Sequence, residues 1–241
     1  MGETKANWRA NQLFFYDGAT GETVRPASPR VLIEDFEGDA LNTDKWLAAI
    51  DIGGNSSNAV NAGAALGTFT NANENQEVGT VAAGNSLDWD VSKGLIIEFR
   101  IALTVLPTLV TEAHWGLLGE AQVDDKQIVS AEDYAEYCVF TADGSGIITI
   151  NCDDNVAGAQ HAVATGVTVL ATVYHIYRID VTDITDIHFY IDGERVAAST
   201  TFTLNSLVSD LVQPVAIMTK HDGAGLGTLS VDYIKIWQAT R

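Results

Sequence analysis

The residues best placed by spacing to react with each other are the two cysteines, Cys138 and Cys152. Each lies seven positions from Ser145, at the centre of the turn-forming run Asp143-Gly144-Ser145-Gly146. A hairpin centred there sets the two cysteines opposite each other on one face, at a separation a disulfide can bridge. Two reduced, buried thiols satisfy the same spacing. The five histidines, His114, His161, His175, His188 and His221, show no metal-ligand spacing such as His-x-x-x-His. His114-Trp115 and His221-Asp222 could line a groove. No Gly-x-Ser-x-Gly occurs, and neither cysteine sits next to a plausible His–Asn pair. Asp153-Asp154-Asn155 and the series Asp180, Asp183 and Asp186 read as solvated turns.

Such residues need a scaffold, and the patterning predicts strands. In Tyr174–Val181, Tyr174, Ile176 and Arg178 share one face, while His175, Tyr177, Ile179 and Val181 share the other. Ile187–Ile191 follows and closes on Asp192-Gly193, a dipeptide whose two positions tolerate positive φ and so favour a tight hairpin. Glu194 to Val196 starts the return strand. Leu95–Val105 is nearly continuous in apolar character, with Glu98 and Arg100 turned outward. Ala64–Phe69, Ala113–Leu118, Tyr137–Phe140, Ile147–Cys152, Phe202–Leu204, Val215–Lys220 and Leu229–Trp237 read as further strands. Val167–Thr172 reads as a brief turn or strand, and residues 121–132 could contain a short helix. About a dozen strands with almost no helical periodicity indicate an all-β protein, a two-sheet antiparallel sandwich.

The chain has 241 residues, 46% of them hydrophobic, enough for one large two-sheet core. Its 13 Lys and Arg against 32 Asp and Glu give a formal charge of −19. That balance argues against nucleic acid and anionic membranes as partners, because phosphate binding needs clustered cations. No apolar run approaches the length of a membrane span. MGETKANWRANQ lacks the apolar centre of a secretory signal, so synthesis in the cytoplasm without a signal peptide is expected. Residues 1–30 stand apart as an N-terminal arm carrying Trp8, Phe14, Phe15 and Tyr16. Aromatics of this kind anchor interfaces, and the arm is expected to pack either on its own domain or on a partner.

Three segments carry a resemblance. Phe36-Glu37-Gly38-Asp39-Ala40-Leu41-Asn42-Thr43-Asp44-Lys45-Trp46 resembles a Phe-x-Gly-x-x-Leu entry turn ending in Trp. The Tyr-His-x-Tyr-Arg-Ile strand at Tyr174 leads to Phe-Tyr-Ile-Asp-Gly, and Val231–Trp237 resembles a closing strand. In this order they are similar to the concanavalin A-like lectin/glucanase jelly rolls, which include laminin-G-like domains. The resemblance implies a jelly roll over residues 31–241. Glucanases of that superfamily use a Glu-x-Asp-x-Glu strand, or one residue longer, whose two Glu act as nucleophile and acid/base. The nearest stretch here is Glu132-Asp133-Tyr134-Ala135-Glu136, with Tyr134 where the Asp belongs. On a regular strand Glu132 and Glu136 would stand roughly 13 Å apart at about 3.3 Å per residue, against about 5–5.5 Å for a retaining pair. The resemblance therefore implies no catalytic residue. It does imply a structural Ca²⁺ held by Asp35 or Glu37, the backbone near Gly38, and Asp232, the hard oxygens that ion prefers.

Three functions fit. The first is a non-enzymatic virion protein, capsid-decorating or tail-associated, since phage proteins with such domains share the missing signal, the aromatic arm and the missing catalytic strand. It would sit on the virion exterior and meet capsid subunits, cell-surface glycans or further copies of itself. The second is a glycan-binding module. The third is a glycoside hydrolase with a degenerate catalytic strand.

Overall fold

The computed structural model describes the chain apart from residues 1–3, 10–11, 18–29, 38–40, 43–44, 51–55, 61–62, 70–75, 83–86, 109–110, 122–133, 157–158, 221–224 and 240–241. Two short strands come first, β1 (Thr4–Arg9) and β2 (Gln12–Asp17). They pair antiparallel with each other and, among the described residues, with neither of the larger sheets.

The strands of the sandwich proper begin with β3 (Arg30–Glu34), β4 (Trp46–Ile50), β5 (Ser56–Val60), β6 (Ala65–Phe69), β7 (Gln76–Ala82) and β8 (Trp89–Asp90). After a single 3-10 turn at Val91–Lys93 come β9 (Leu95–Val105), β10 (Thr111–Leu118), β11 (Glu136–Ala142), β12 (Ile147–Asp154) and β13 (Gln160–Thr168). The set closes with β14 (His175–Val181), β15 (His188–Ile191), β16 (Glu194–Val196), β17 (Leu211–Lys220) and β18 (Gly227–Gln238). No α-helix occurs among the described residues.

One sheet runs β13-β12-β11-β10-β17-β7-β4, with β8 attached to β17. The other runs β16-β15-β14-β9-β18-β6-β5, with β3 attached to β18. Every pairing is antiparallel. The expected two-sheet antiparallel sandwich is the architecture found.

Strand alternation decides which side chains enter the core. From the first sheet come Trp115, Leu117, Cys138, Phe140, Ile148, Ile150, Ala216 and Met218. The second contributes Leu95, Ile97, Phe99, Ile101, Tyr177, Ile179, Phe189, Ile234 and Ile236. Phe140 is the hub, at 5.2 Å from both Tyr177 and Phe189 in edge-to-face contact and 6.2 Å from Trp115. Each such side chain contributes about 1.5–3 kcal/mol by leaving water, so one extended core accounts for most of the stabilisation.

The Asp192-Gly193 turn forms as read. Both residues have positive φ, 51° and 86°, and Ile191 paired with Glu194 closes the β15–β16 hairpin. Asp192 also accepts the Ile176 amide at 2.8 Å, which ties the turn to the start of β14. One expectation is corrected and one strand is longer than read. Phe202–Leu204 is not a strand: Phe202 and Leu204 are buried core residues held by the irregular bonds Ile187 N to Phe202 O and Leu204 N to Ile184 O. Val167–Thr172, read as a brief turn or strand, holds the end of one and then the other: β13 runs to Thr168 and a turn takes Ala171 and Thr172. The unread part is the start of this nine-residue edge strand at Gln160, which pairs with β12 through two register shifts.

Candidate functional site

The outer face of the β9 sheet carries a ladder of opposite charges and aromatic rings. Arg178 donates to Glu98 through Nη2 at 3.1 Å and Nε at 3.3 Å, and the Tyr233 hydroxyl donates to the other Glu98 oxygen at 2.9 Å. Arg100 pairs with Asp232 at a register shift in β18 and stacks over Tyr174 at 4.6 Å. Arg178 stacks over Tyr190 at 5.6 Å, and Lys235 over Tyr233 at 3.8 Å. Burial, and then the negative charge of Glu98, pushes the Tyr233 phenol above its ordinary range. Each of the three tyrosine rings in this ladder thus has one cation over it.

The outer face of the β10 sheet is closed at its centre. Leu118, Tyr134, Tyr137, Val139, Val215 and Ile217 form a second apolar cluster there. Beside it His114 is fully buried, with Nδ1 3.1 Å from the Thr141 hydroxyl and Nε2 3.3 Å from that of Thr219. Asn151 donates to Thr141 at 2.9 Å and accepts the Ala162 amide at 2.7 Å, so the chain of polar groups crosses from β17 to β13. Burial lowers the His114 pKa to about 4, against a smaller opposing pull from Glu112. The imidazole is therefore neutral at pH 7.

A carboxylate pair on β11 is not what this face presents. Tyr137, Val139 and Thr141 alternate outward, whereas Glu136 lies on the Cys138 side and accepts the Val208 amide at 2.6 Å. Glu132 and Asp133 fall outside the described residues.

An open cavity lies among the described residues where β3, β8 and β18 converge. It holds about 390 Å³ and is lined by Arg30, Asp88, Asp90 and Gln238. Three pairings build it: Gln238 opposite Arg30, Asp90 opposite Leu211, and the Asp90 amide donating to Gln238 Oε1 at 2.8 Å. Asp90 also caps the Val91–Lys93 turn, its Oδ1 accepting the Ser92 amide at 2.9 Å. Arg30 lies over the buried Trp89 ring at 4.3 Å and donates through Nη2 to Asp88 Oδ2 at 3.2 Å. Asp88 is half exposed at this mouth. The cavity thus offers a guanidinium, two carboxylates and an amide within the size range of small-ligand sites. Spacing could not have revealed it, since Arg30 and Asp88 are 58 positions apart and Asp90 and Gln238 are 148 apart.

The expected calcium set does not gather among the described residues. Asp232 instead pairs with the Arg100 guanidinium, and a cation there disfavours a second one. Asp35 is exposed and accepts the Glu37 amide at 3.4 Å, while Gly38 lies outside the described residues. No group of three or more His, Cys, Asp or Glu able to hold a metal occurs among the described residues. In the arm, Trp8 falls on β1 opposite Leu13, and Phe14, Phe15 and Tyr16 fall on β2. The cysteines are direct cross-strand partners, as their spacing about Ser145 implied, and both stand as thiols. His161 is exposed next to Tyr137, and His175 binds Asp192 at 2.7 Å; His221 lies outside the described residues.

No protein-family model matches the chain, and no curated protein matches it. Solved structures do. A β-1,3-glucanase from Mycobacterium marinum superposes with a TM-score of 0.54 at 15% identity, over 88% of this chain and 100% of that one. The carbohydrate recognition domain of Emp47p gives 0.56 at 8% identity, over 86% and 94%. Porphyranase B from Zobellia galactanivorans gives 0.52 at 12% identity, over 91% and 97%. With its two antiparallel sheets and the order of its strands, the chain has the concanavalin A-like lectin/glucanase jelly-roll fold.

Proposed function

We propose that this chain is a non-catalytic glycan-binding jelly roll whose ligand sits in the cavity between β3, β8 and β18. The observation that carries the reading is the cavity's lining. Carboxylates and a guanidinium at one mouth suit the adjacent hydroxyls of a sugar, which accept from Arg30 and donate to Asp88 and Asp90. The other outer surfaces are less suited. The charged groups of the β9 sheet form a ladder along its outer face, whereas those at β3, β8 and β18 line a cavity, and the centre of the β10 sheet is buried. The names of the similar structures support a carbohydrate ligand, since they include a carbohydrate recognition domain and two polysaccharide-cleaving enzymes. The inward turn of Glu136 supports binding without cleavage. A glycan array followed by titration of the best binder tests this. Asp88→Ala should weaken binding roughly 10- to 100-fold, the loss of one charge-assisted hydrogen bond, without changing the thermal midpoint. Binding that is unaltered by Asp88→Ala, or no glycan bound at millimolar concentration, would overturn it.

A second reading is favoured by the β1–β2 hairpin. Two strands alone are marginal in water, and these pair with neither sheet among the described residues. On this reading the hairpin fastens the jelly roll to a capsid subunit or another virion structural protein, and the glycan-binding domain decorates the particle exterior. Removing residues 1–29, which spares Arg30 at the cavity, should then abolish particle attachment while leaving glycan binding intact.

A further inference from the structure

Cys138 and Cys152 meet in the core at the middle of the β11–β12 hairpin, with flanking residues paired in register on both sides from Glu136–Asp154 to Ala142–Ile148. They are 0% and 3% exposed, and their sulfurs lie 2.7 Å apart. That is well inside ordinary non-bonded contact, roughly 3.5–4.0 Å even for the smaller carbon atom. No metal-holding group surrounds them among the described residues, so a shared ion does not explain the approach. The flanking ladder holds the two residues opposite each other.

We propose that Cys138 and Cys152 are joined by a permanent disulfide when the chain folds in the presence of a disulfide oxidant. The proposal goes beyond the glycan reading and does not depend on it. The reaction is two successive exchanges. The thiolate of one cysteine attacks a small disulfide such as oxidised glutathione, forming a mixed disulfide and releasing one glutathione thiolate. The second cysteine, losing its proton, attacks the protein sulfur of that mixed disulfide and expels the second glutathione. Two electrons pass to the oxidant, and two thiol protons leave the protein.

Timing follows from burial. Leaving water raises the Cys138 thiol well above its ordinary range, so little thiolate exists in the closed core. Both sulfurs face the core between the two sheets, among Trp115, Leu117 and Phe140 of the same buried cluster. Exchange therefore belongs to the folding chain, and the finished bond is shielded from reductant. This is a cross-link and not a switch.

The test uses the full chain unfolded in guanidinium chloride and refolded with either a mixture of reduced and oxidised glutathione or excess dithiothreitol. Each sample is then denatured and treated with a maleimide before intact-mass measurement. The oxidised sample should be 2 Da lighter with no maleimide added, and the reduced sample should carry two. Closing a loop of this size should raise the thermal midpoint by roughly 5–10 °C. Dithiothreitol added to the native oxidised protein should leave the mass unchanged for hours. Two maleimides or a glutathione adduct on the oxidised sample would overturn the proposal, and so would rapid reduction in the native state.

Discussion

Glu98 and Arg178 face each other in register across β9 and β14, and both donor nitrogens of Arg178 converge on a single Glu98 oxygen. Tyr233 occupies the other oxygen, so the carboxylate is held from both neighbouring strands. Glu98 is nearly buried, with a side chain 11% exposed, while Arg178 is 26% exposed. Replacing Arg178 with Leu should cost about 2 kcal/mol, between the value of a surface pair and that of a fully buried one. A fall of roughly 4–8 °C in the thermal midpoint is the expected readout, with Glu98→Gln falling less because the tyrosine bond survives.

His114 should give the protein a characteristic acid response. Its folded pKa, about 4, lies below its ordinary 6.5, so the unfolded chain binds the proton first as pH drops. Stability from this group is complete above about pH 6.5 and is lost as pH falls towards 4, a change of about 3 kcal/mol. Denaturant midpoints measured from pH 7 to pH 4 should show that slope. In His114→Gln the part due to this residue should disappear, even if the variant is less stable throughout.

The turn at Asp192-Gly193 requires positive φ at both positions. Gly193→Val forces a β-branched side chain into that region and should destabilise by about 1–2 kcal/mol. Nothing lies within 4 Å of the added Cβ, so the loss would come from backbone conformation alone. Gly193→Asn, which tolerates the same region, should recover most of it, as read by thermal melts of the two variants.

Trp115 fills the core between Phe140 and Tyr177, and its indole N–H has no partner among the described residues. Trp115→Ala should cost about 3–5 kcal/mol by opening a cavity. Trp115→Phe should cost much less, because it also removes a buried donor without a bond. Equal losses for the two in chemical denaturation would show that the indole nitrogen is satisfied after all.

These features differ in how visible they were beforehand. Asp192-Gly193 and the cysteine hairpin are local, so residue type and spacing were enough to place them. The start of β13 was missed because Ala162, Ala164 and Gly166, with little β preference, interrupt Val163, Thr165 and Val167, and this edge strand buries none of its residues fully. Phe202 and Leu204 misled in the opposite way: both are buried, but their backbone groups bond irregularly to Ile187 and Ile184 instead of joining a ladder. The cavity was invisible because Arg30, Asp88 and Gln238 meet only through long-range pairing, about which local pattern says nothing. The partner of Asp232 was hidden for a related reason: the register shift in β18 sets the carboxylate against Arg100.

β18 has its own consequence for how the molecule is made. It pairs with β9 along its length and with β3 and β6 end to end on its other side, and β3 has no other sheet partner among the described residues. On a ribosome β3 emerges long before β18, with fourteen described strands between them, so β3 must wait for its partner with Leu32 and its own backbone groups available to stray contacts. The nascent chain can close the β14–β15–β16 meander early, but the β9 sheet stays split until β18 arrives as a splice. Such late, non-local closure makes folding slow and exposes the unfinished chain to aggregation. A ribosome stalled just before residue 227 would therefore hold a chain with most of its strands and no finished domain.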